Sequence, residues 1–489
     1  MQTRALVDFG ELSLNRAMRL YGPVGDLSIF EGRYFPSKAP LMSFAAVPVY
    51  SVLRTLAGGR PGAVPEIPLV FFSRLLLTVL PTLLSLVLLE RLLRHYVAPH
   101  IVTVVTWTYA VGSLAFSYSL LFMSHQTTAT LLLAGFYVSW QIVLGRRGRP
   151  WLVLLGLLLG LSVVAEYTSA LPALGIAMYV LLARREPPLE RIRSAALLSA
   201  GALPTAVFLG WYHLACFGGV LETGYRHLAD VAYQPWHQGG FLGIKTPTWE
   251  AFVGSFFSPL RGLFALSPFL VIGLVGIFRM WRRRDSHGEL GAIAMFSGLL
   301  FLGYLYFTSS FSYASWGWTT GPRHLTGLIP FLILPAALEL ESSKRLARGF
   351  IAGLLASSIL VTSALTFVNY IPDDVSEGVF GLFLPLAQVG YVVPTLLGFV
   401  PGIGGASGWV VIFATGILVL LVSSLALEKP RVAPAAACLV VTLGLVLAHR
   451  AAYRDTAQDR AARSLLRDVW LSAPGQRLDF WSTAGRVAQ

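Results

Sequence analysis

Charge is scarce in this chain of 489 residues. Only 12% of them are Asp, Glu, Lys or Arg, about half the share that a soluble domain carries. That excludes an ordinary soluble enzyme. Cysteine is scarcer still: Cys216 and Cys438 make neither a disulfide framework nor a thiolate metal cluster, and Cys438, inside an apolar run, reads as packing. A leader is also expected to be missing, since nothing ahead of residues 1–67 resembles a signal peptide or a first span. What is abundant is apolar sequence, 55% of the chain. Apolar stretches of about 17–25 residues recur from Pro68 almost to the C-terminus, each long enough to cross roughly 30 Å of hydrocarbon. The fold expected is an all-α, polytopic transmembrane bundle. Interspersed Gly, Pro and Ser do not count against it, because neighbouring helices satisfy freed backbone groups. The net charge of +13 does not indicate nucleic acid, since its cations sit in short clusters between the apolar runs.

About twelve spans are expected, near 68–90, 97–118, 122–144, 150–166, 168–184, 194–214, 262–280, 290–308, 322–340, 347–369, 409–427 and 433–448. Basic clusters fall at alternate connections, among them Arg146/Arg147/Arg149, Arg184/Arg185/Arg191/Arg193 and Arg279/Arg282/Arg283/Arg284. Positively charged loops stay in the cytoplasm. Five segments follow: an external amphipathic region 1–67, a transmembrane core 68–369 with an external loop 215–261, an external or re-entrant loop 370–408, C-terminal spans 409–448, and an external amphipathic tail 449–489. The tail reads as a helix with solvated charges and no chemistry. Exporting residues 1–67 requires either a first span that enters with its N-terminus outside or a helix ahead of the recorded start; the second is the expectation.

The external segments concentrate polar and aromatic residues. "GDLSIFEGRYFPSKAPL" holds Asp26 and Lys38; "MSHQTT" puts His125 at a span end; "VVAEYTSALP" puts Glu166 and Tyr167 in a tight turn. The long loop holds Arg226 and Arg261, and "YASWGWTTGPRHL" holds Trp316, Trp318, Arg323 and His324. Each has a bland reading. The tryptophans suit an interfacial belt, Lys38 and Arg323 can snorkel to headgroups, and His125 can be a satisfied helix-end histidine. Glu166 is harder to dismiss, because an acidic group buried at a membrane surface has a cationic partner or a task. Lys38, Arg226, Arg261 and Arg323 together lie on the side that topology depletes of cations. They point to an anionic ligand such as a lipid phosphate or pyrophosphate, and the aromatic faces suit sugar rings.

The segments "EGRYFPSKAPLMSFAAVPVY", "GYRHLADVAYQ", "GFLGIKTPTWEAFVGSFFSPLRGLFALSPFL" and "SWGWTTGPRHLTGLIPFLILP" resemble bacterial GT-C glycosyltransferases, the group of protein O-mannosyltransferases and lipid A aminoarabinose transferases. The resemblance covers roughly residues 1–370. It implies a hexosyl- or pentosyltransferase in the bacterial plasma (inner) membrane. On the non-cytoplasmic face such an enzyme moves a sugar from a polyprenyl-phosphate donor to a lipid, glycan or protein acceptor without a nucleotide. "SKAP" is similar to the family's "KPP"-type element, so Lys38 would contact the donor phosphate, with Pro36 and Pro40 fixing the turn. Arg261 and Arg323 would converge on the same headgroup. The family also places an acidic residue some thirty-odd residues before the lysine, next to a first span. That count is expected to pass beyond Met1, so both features read as missing, with Asp8 or Asp26 as substitutes.

The expected reaction is an inverting transfer. A carboxylate deprotonates the acceptor hydroxyl, which attacks the anomeric carbon, and cations stabilise the departing phosphate. Asp26 is the expected base and Glu166 its orienting partner. Substrate contacts are expected from Lys38, Arg261, Arg323, His324, His125, Arg226, Tyr167, Trp316 and Trp318. No cofactor is implied, and a divalent metal is compatible but not indicated. Three rivals remain. A flippase for a lipid-linked sugar would need polar residues deep in its spans, and 150–165 and 409–427 have almost none. An O-antigen ligase-type enzyme would also use a large external loop. A catalytically inactive, truncated relative would serve as a binding scaffold.

Overall fold

The structure, a computed structural model, describes residues 1–184, 186–239, 243–283, 288–311, 319–368, 371–372, 375–392, 395–399, 407–428 and 431–470. Two compact units share the chain. One is built from Met1–Leu88, Leu121–Thr248 and Leu299–Tyr313, the other from Leu89–Leu120, Trp249–Gly298 and Ala314–Gln489. Among the described residues the regular structure is helical, apart from one short antiparallel hairpin and two isolated bridges.

Among the described residues, six helices are long and apolar enough to cross a bilayer: Glu66–Leu93, Pro188–Phe217, Gly288–Ser310, Arg345–Val368, Ser407–Leu427 and Val432–Ala452. This is a multi-pass membrane protein, but the expected count of twelve is not met among the described residues, and the sequence explains where it falls short. The run 97–118 is cut at Gly112: the helix Pro99–Val111 ends there, and Ser113 caps a new one, Leu114–Ser119, by accepting from the Ala115 amide. The runs 150–166 and 168–184 become Trp151–Ala165 and Ala170–Ala183, of 15 and 14 residues, parted by an extended Glu166. At 1.5 Å per residue, each is roughly 8 Å short of a hydrocarbon core. The run 262–280 becomes a long helix only from Leu270, and 322–340 only from Pro330. The helix Ser124–Val143 is long enough, but its first turns read Ser-His-Gln-Thr-Thr.

Within each unit, glycine lets helices approach closely. In the first, Trp151–Ala165 meets Pro188–Phe217 at Gly156, where a Cβ would lie 1.9 Å from the Leu198 carbonyl oxygen. In the second, Leu270–Arg282 meets Pro330–Ser342 at Gly276, where a Cβ would lie 2.0 Å from the Pro335 carbonyl oxygen. Small residues at such crossings let backbones pack without a hydrophobic driving force, as expected in lipid. At the same end of the second helix pair, Arg279 donates to both carboxylate oxygens of Glu339, at 2.5 and 2.9 Å.

Candidate functional site

The first unit builds its site around the hairpin Leu27–Phe30 and Arg33–Pro36. Glu31 and Gly32 form its two-residue turn, both at positive φ (49° and 73°), the backbone that matches the twist of paired strands. At the open end the Ser37 amide donates to the Asp26 carbonyl at 3.1 Å. That closure brings Lys38 Nζ to 3.4 Å from Asp26 Oδ1.

The loop after the span Pro188–Phe217 docks on this hairpin. Ser28 donates to the Gly224 carbonyl at 2.7 Å, and the Ala229 amide to the Leu27 carbonyl at 2.8 Å. Gly224 is required there, because a Cβ would meet Ser37 Cα at 2.9 Å. Docking slides the ring of Tyr225 beneath Lys38, whose Nζ lies 5.1 Å from the ring centre, within cation–π range. His237 stacks on Tyr225 at 4.6 Å, and Tyr167 meets it edge-on at 6.2 Å. The Tyr167 hydroxyl lies 2.9 Å from His213 Nε2, while His213 Nδ1 faces the Val220 carbonyl at 3.1 Å. A carbonyl only accepts, so Nδ1 carries the proton and Nε2 accepts from Tyr167. One residue before Tyr167, Glu166 lies 2.9 Å from His125 Nδ1 and accepts from Thr168 Oγ1 at 2.9 Å. Both partners of the His125–Glu166 pair are mostly buried, at 12% and 14% exposure.

Deeper in the same unit is a carboxylate to which the sequence reading gave little weight. Asp8 lies in the helical turn Ala5–Phe9, closed by a left-handed Gly10. Its side chain has no exposed surface. Oδ2 accepts from the phenols of Tyr21 and Tyr50, at 2.5 and 2.7 Å, and Oδ1 lies 2.9 Å from Arg54 Nε. Burial and the bond to Asp8 hold the Tyr21 phenol above its ordinary range. Burial, with its bonds to Tyr21 and Asp8, does the same for Tyr50. Asp8 also precedes Lys38 by 30 residues (38 − 8 = 30). A count of 30 residues back from the lysine therefore lands on Asp8, inside the chain.

The expected site residues thus have distinct fates. Lys38 and Asp26 are brought together, as are Glu166 and His125, with Tyr167 next to the ring under Lys38. Asp26 is a poor candidate for a positioned base, because its side chain is 69% exposed and its one described partner is the lysine. Arg226 pairs with Glu222 at 2.8 Å. In the second unit Arg261 is 5% exposed and donates from Nη2 to the Pro372 carbonyl at 3.3 Å. Arg323 and His324 open the short helix Arg323–Leu328, half-buried. Trp316 and Trp318 lie outside the described residues. The sequence reading passed over Tyr225, His237 and His213, although Tyr225 directly precedes the Arg226 it singled out.

No protein-family model and no curated protein matches this chain. Among solved structures it is similar to ArnT from Cupriavidus metallidurans in the apo state, with 16% identity and a TM-score of 0.45 over 91% of this chain and 70% of that one. It is also similar to the same protein bound to undecaprenyl phosphate, with 13% identity and a TM-score of 0.47 over 92% and 72%.

Proposed function

We propose that the protein is a membrane glycosyltransferase that takes a sugar from a polyprenyl-phosphate donor on the non-cytoplasmic face. The observation that carries this reading is a pair within one compact unit. A lysine stands over an aromatic platform, and a buried carboxylate held by two phenols and an arginine precedes it by 30 residues. That spacing is close to the thirty-odd residues that the resemblance around "SKAP" implies.

In this reading Lys38 Nζ meets the donor phosphate, exchanging its weak, exposed contact with Asp26 for a phosphate oxygen. Tyr225 and His237 offer faces to the sugar. Asp8 is the general base. The acceptor hydroxyl replaces a phenol at Oδ2 and gives its proton to the carboxylate as its oxygen bonds to the anomeric carbon. The bond from that carbon to the phosphate oxygen breaks, and the electron pair leaves with the lipid phosphate. Glu166, fixed by His125 and Thr168, orients the acceptor. The phosphate roles of Arg261 and Arg323, the inverting course and the membrane side are carried into the proposal from the sequence alone.

The test uses the full chain in lipid nanodiscs, presented with undecaprenyl-phosphate hexoses and pentoses together with a bacterial cell-envelope extract as the source of lipid, glycan and protein acceptors, and follows release of undecaprenyl phosphate by mass spectrometry. Asp8→Asn should lower release by about 10²–10⁴-fold, the range for loss of a general base. Lys38→Ala should weaken binding of undecaprenyl phosphate, with membrane insertion unchanged. Full turnover in Asp8→Asn, or unchanged binding in Lys38→Ala, would sink the assignment.

A further inference from the structure

A second histidine–carboxylate pair, in the second unit, lies at the centre of a clamp. His449 Nδ1 is 2.8 Å from Glu377 Oε1, and its Nε2 is 3.3 Å from the Ala265 carbonyl oxygen. Glu377 is fully buried and His449 is 5% exposed. Glu377 also accepts from the Val379 and Phe380 amides, at 2.9 and 2.6 Å, capping the turn Val379–Phe383. The tail that follows His449 grips the same segment. Asp459, also fully buried, accepts from the amide and hydroxyl of Ser376 at 3.1 Å each. Arg463 donates to the Gly381 carbonyl at 2.9 Å. The two ends of this clamp flank Arg261. Ala265 is four residues after it, and Pro372, whose carbonyl accepts from its guanidinium, is five residues before Glu377.

We propose that His449 is a positioning residue for Arg261. It ties the Arg261 segment to the 375–388 segment from one side while Asp459 and Arg463 hold that segment from the other, so the C-terminal helix and tail set where the guanidinium sits. This rests on reading Arg261 as a phosphate contact. Both ring nitrogens of His449 face acceptors, so the ring donates twice as an imidazolium, or the Glu377 carboxyl holds the shared proton. In either case the pair buries a polar group whose loss leaves its partner stranded. The ring joins Ala265 to Glu377, and the tail holds the segment around Glu377 directly.

The test compares the full chain with His449→Gln, Asp459→Asn, Arg261→Ala and the double variant His449→Gln/Arg261→Ala in nanodiscs. Amide hydrogen exchange over 375–392 is read first, and binding of undecaprenyl phosphate second. His449→Gln and Asp459→Asn should raise exchange, and His449→Gln should weaken binding about tenfold, the scale of a lost hydrogen bond to a charged group. The double variant should bind no worse than Arg261→Ala. Unchanged exchange in both single variants overturns the clamp. Raised exchange with unchanged binding in His449→Gln, or additive losses in the double variant, overturns the positioning role. Unchanged binding in Arg261→Ala, with exchange still raised in the clamp variants, overturns the phosphate reading of Arg261 and leaves the clamp as scaffold alone.

Discussion

His125–Glu166 in the first unit and His449–Glu377 in the second are the same chemical pair at nearly the same separation, 2.9 and 2.8 Å. Their surroundings differ. Glu166 sits at a break between two short helices, accepts from a side-chain hydroxyl and keeps 14% of its surface exposed. Glu377 has none exposed and accepts from two backbone amides. A carboxylate committed to backbone amides fixes the chain's path, and losing it undoes that path. A carboxylate held by side chains at a helix break can exchange a partner for a substrate. Separation alone does not tell the two apart; the identity of the donors does.

The comparison breaks or sharpens on four measurements. The largest effect should come from Glu377→Ala, which strands a buried histidine and two amides at a cost of about 3–5 kcal/mol, read as a fall in thermal midpoint in nanodiscs. Glu166→Ala should cost well under half as much, and equal costs would erase the distinction. Next comes Tyr50→Phe, which removes a hydrogen bond to the buried Asp8 at a cost of about 1.5–3 kcal/mol; no loss of midpoint would mean that Arg54 and Tyr21 hold Asp8 unaided. Third, Glu166→Gln should slow release of undecaprenyl phosphate about tenfold with an unchanged midpoint, whereas a lower midpoint at full turnover would make Glu166 scaffold too.

The smallest effect is acid sensitivity of the tail. The hydrogen bond from Arg463, then that from Arg460, holds the exposed Asp455 carboxyl below its ordinary range. A carboxylate with a depressed folded pKa adds stability above its unfolded value, near 3.8, and loses it as pH falls through the folded value. Amide exchange in Ala457–Leu465 should therefore rise only below about pH 4, and by little for a solvent-screened pair. Exchange already rising at pH 6 would show that a group other than Asp455 governs the tail.

Much of the fold was legible because membrane insertion depends on sums over neighbouring residues. Apolar runs such as 345–368 and 407–427 announce themselves by length. Span edges were less legible where one residue decides: Gly112 with Ser113 ends one helix and starts another, and Glu166 splits an apolar stretch of more than thirty residues. The lysine of "SKAP" stood out as a cation among apolar neighbours. Tyr225 was hidden because its importance lies in docking against the hairpin, set by Gly224 meeting Ser37. Asp8 was legible only as a substitute and was undervalued, since nothing local to "LVDFGEL" indicates that Tyr21, Tyr50 and Arg54 surround it.

The amino-acid sequence by itself determined that this is a helical membrane protein with its polar and aromatic residues gathered in the connecting segments, because both follow from local composition measured against bilayer thickness and loop charge. Only the tertiary structure decided which carboxylate meets which donor. Gln2 bonds Tyr212 across 210 positions, and Glu377 meets His449 across 72. Such pairings depend on where packed helices bring distant segments together, and hydropathy carries no record of that.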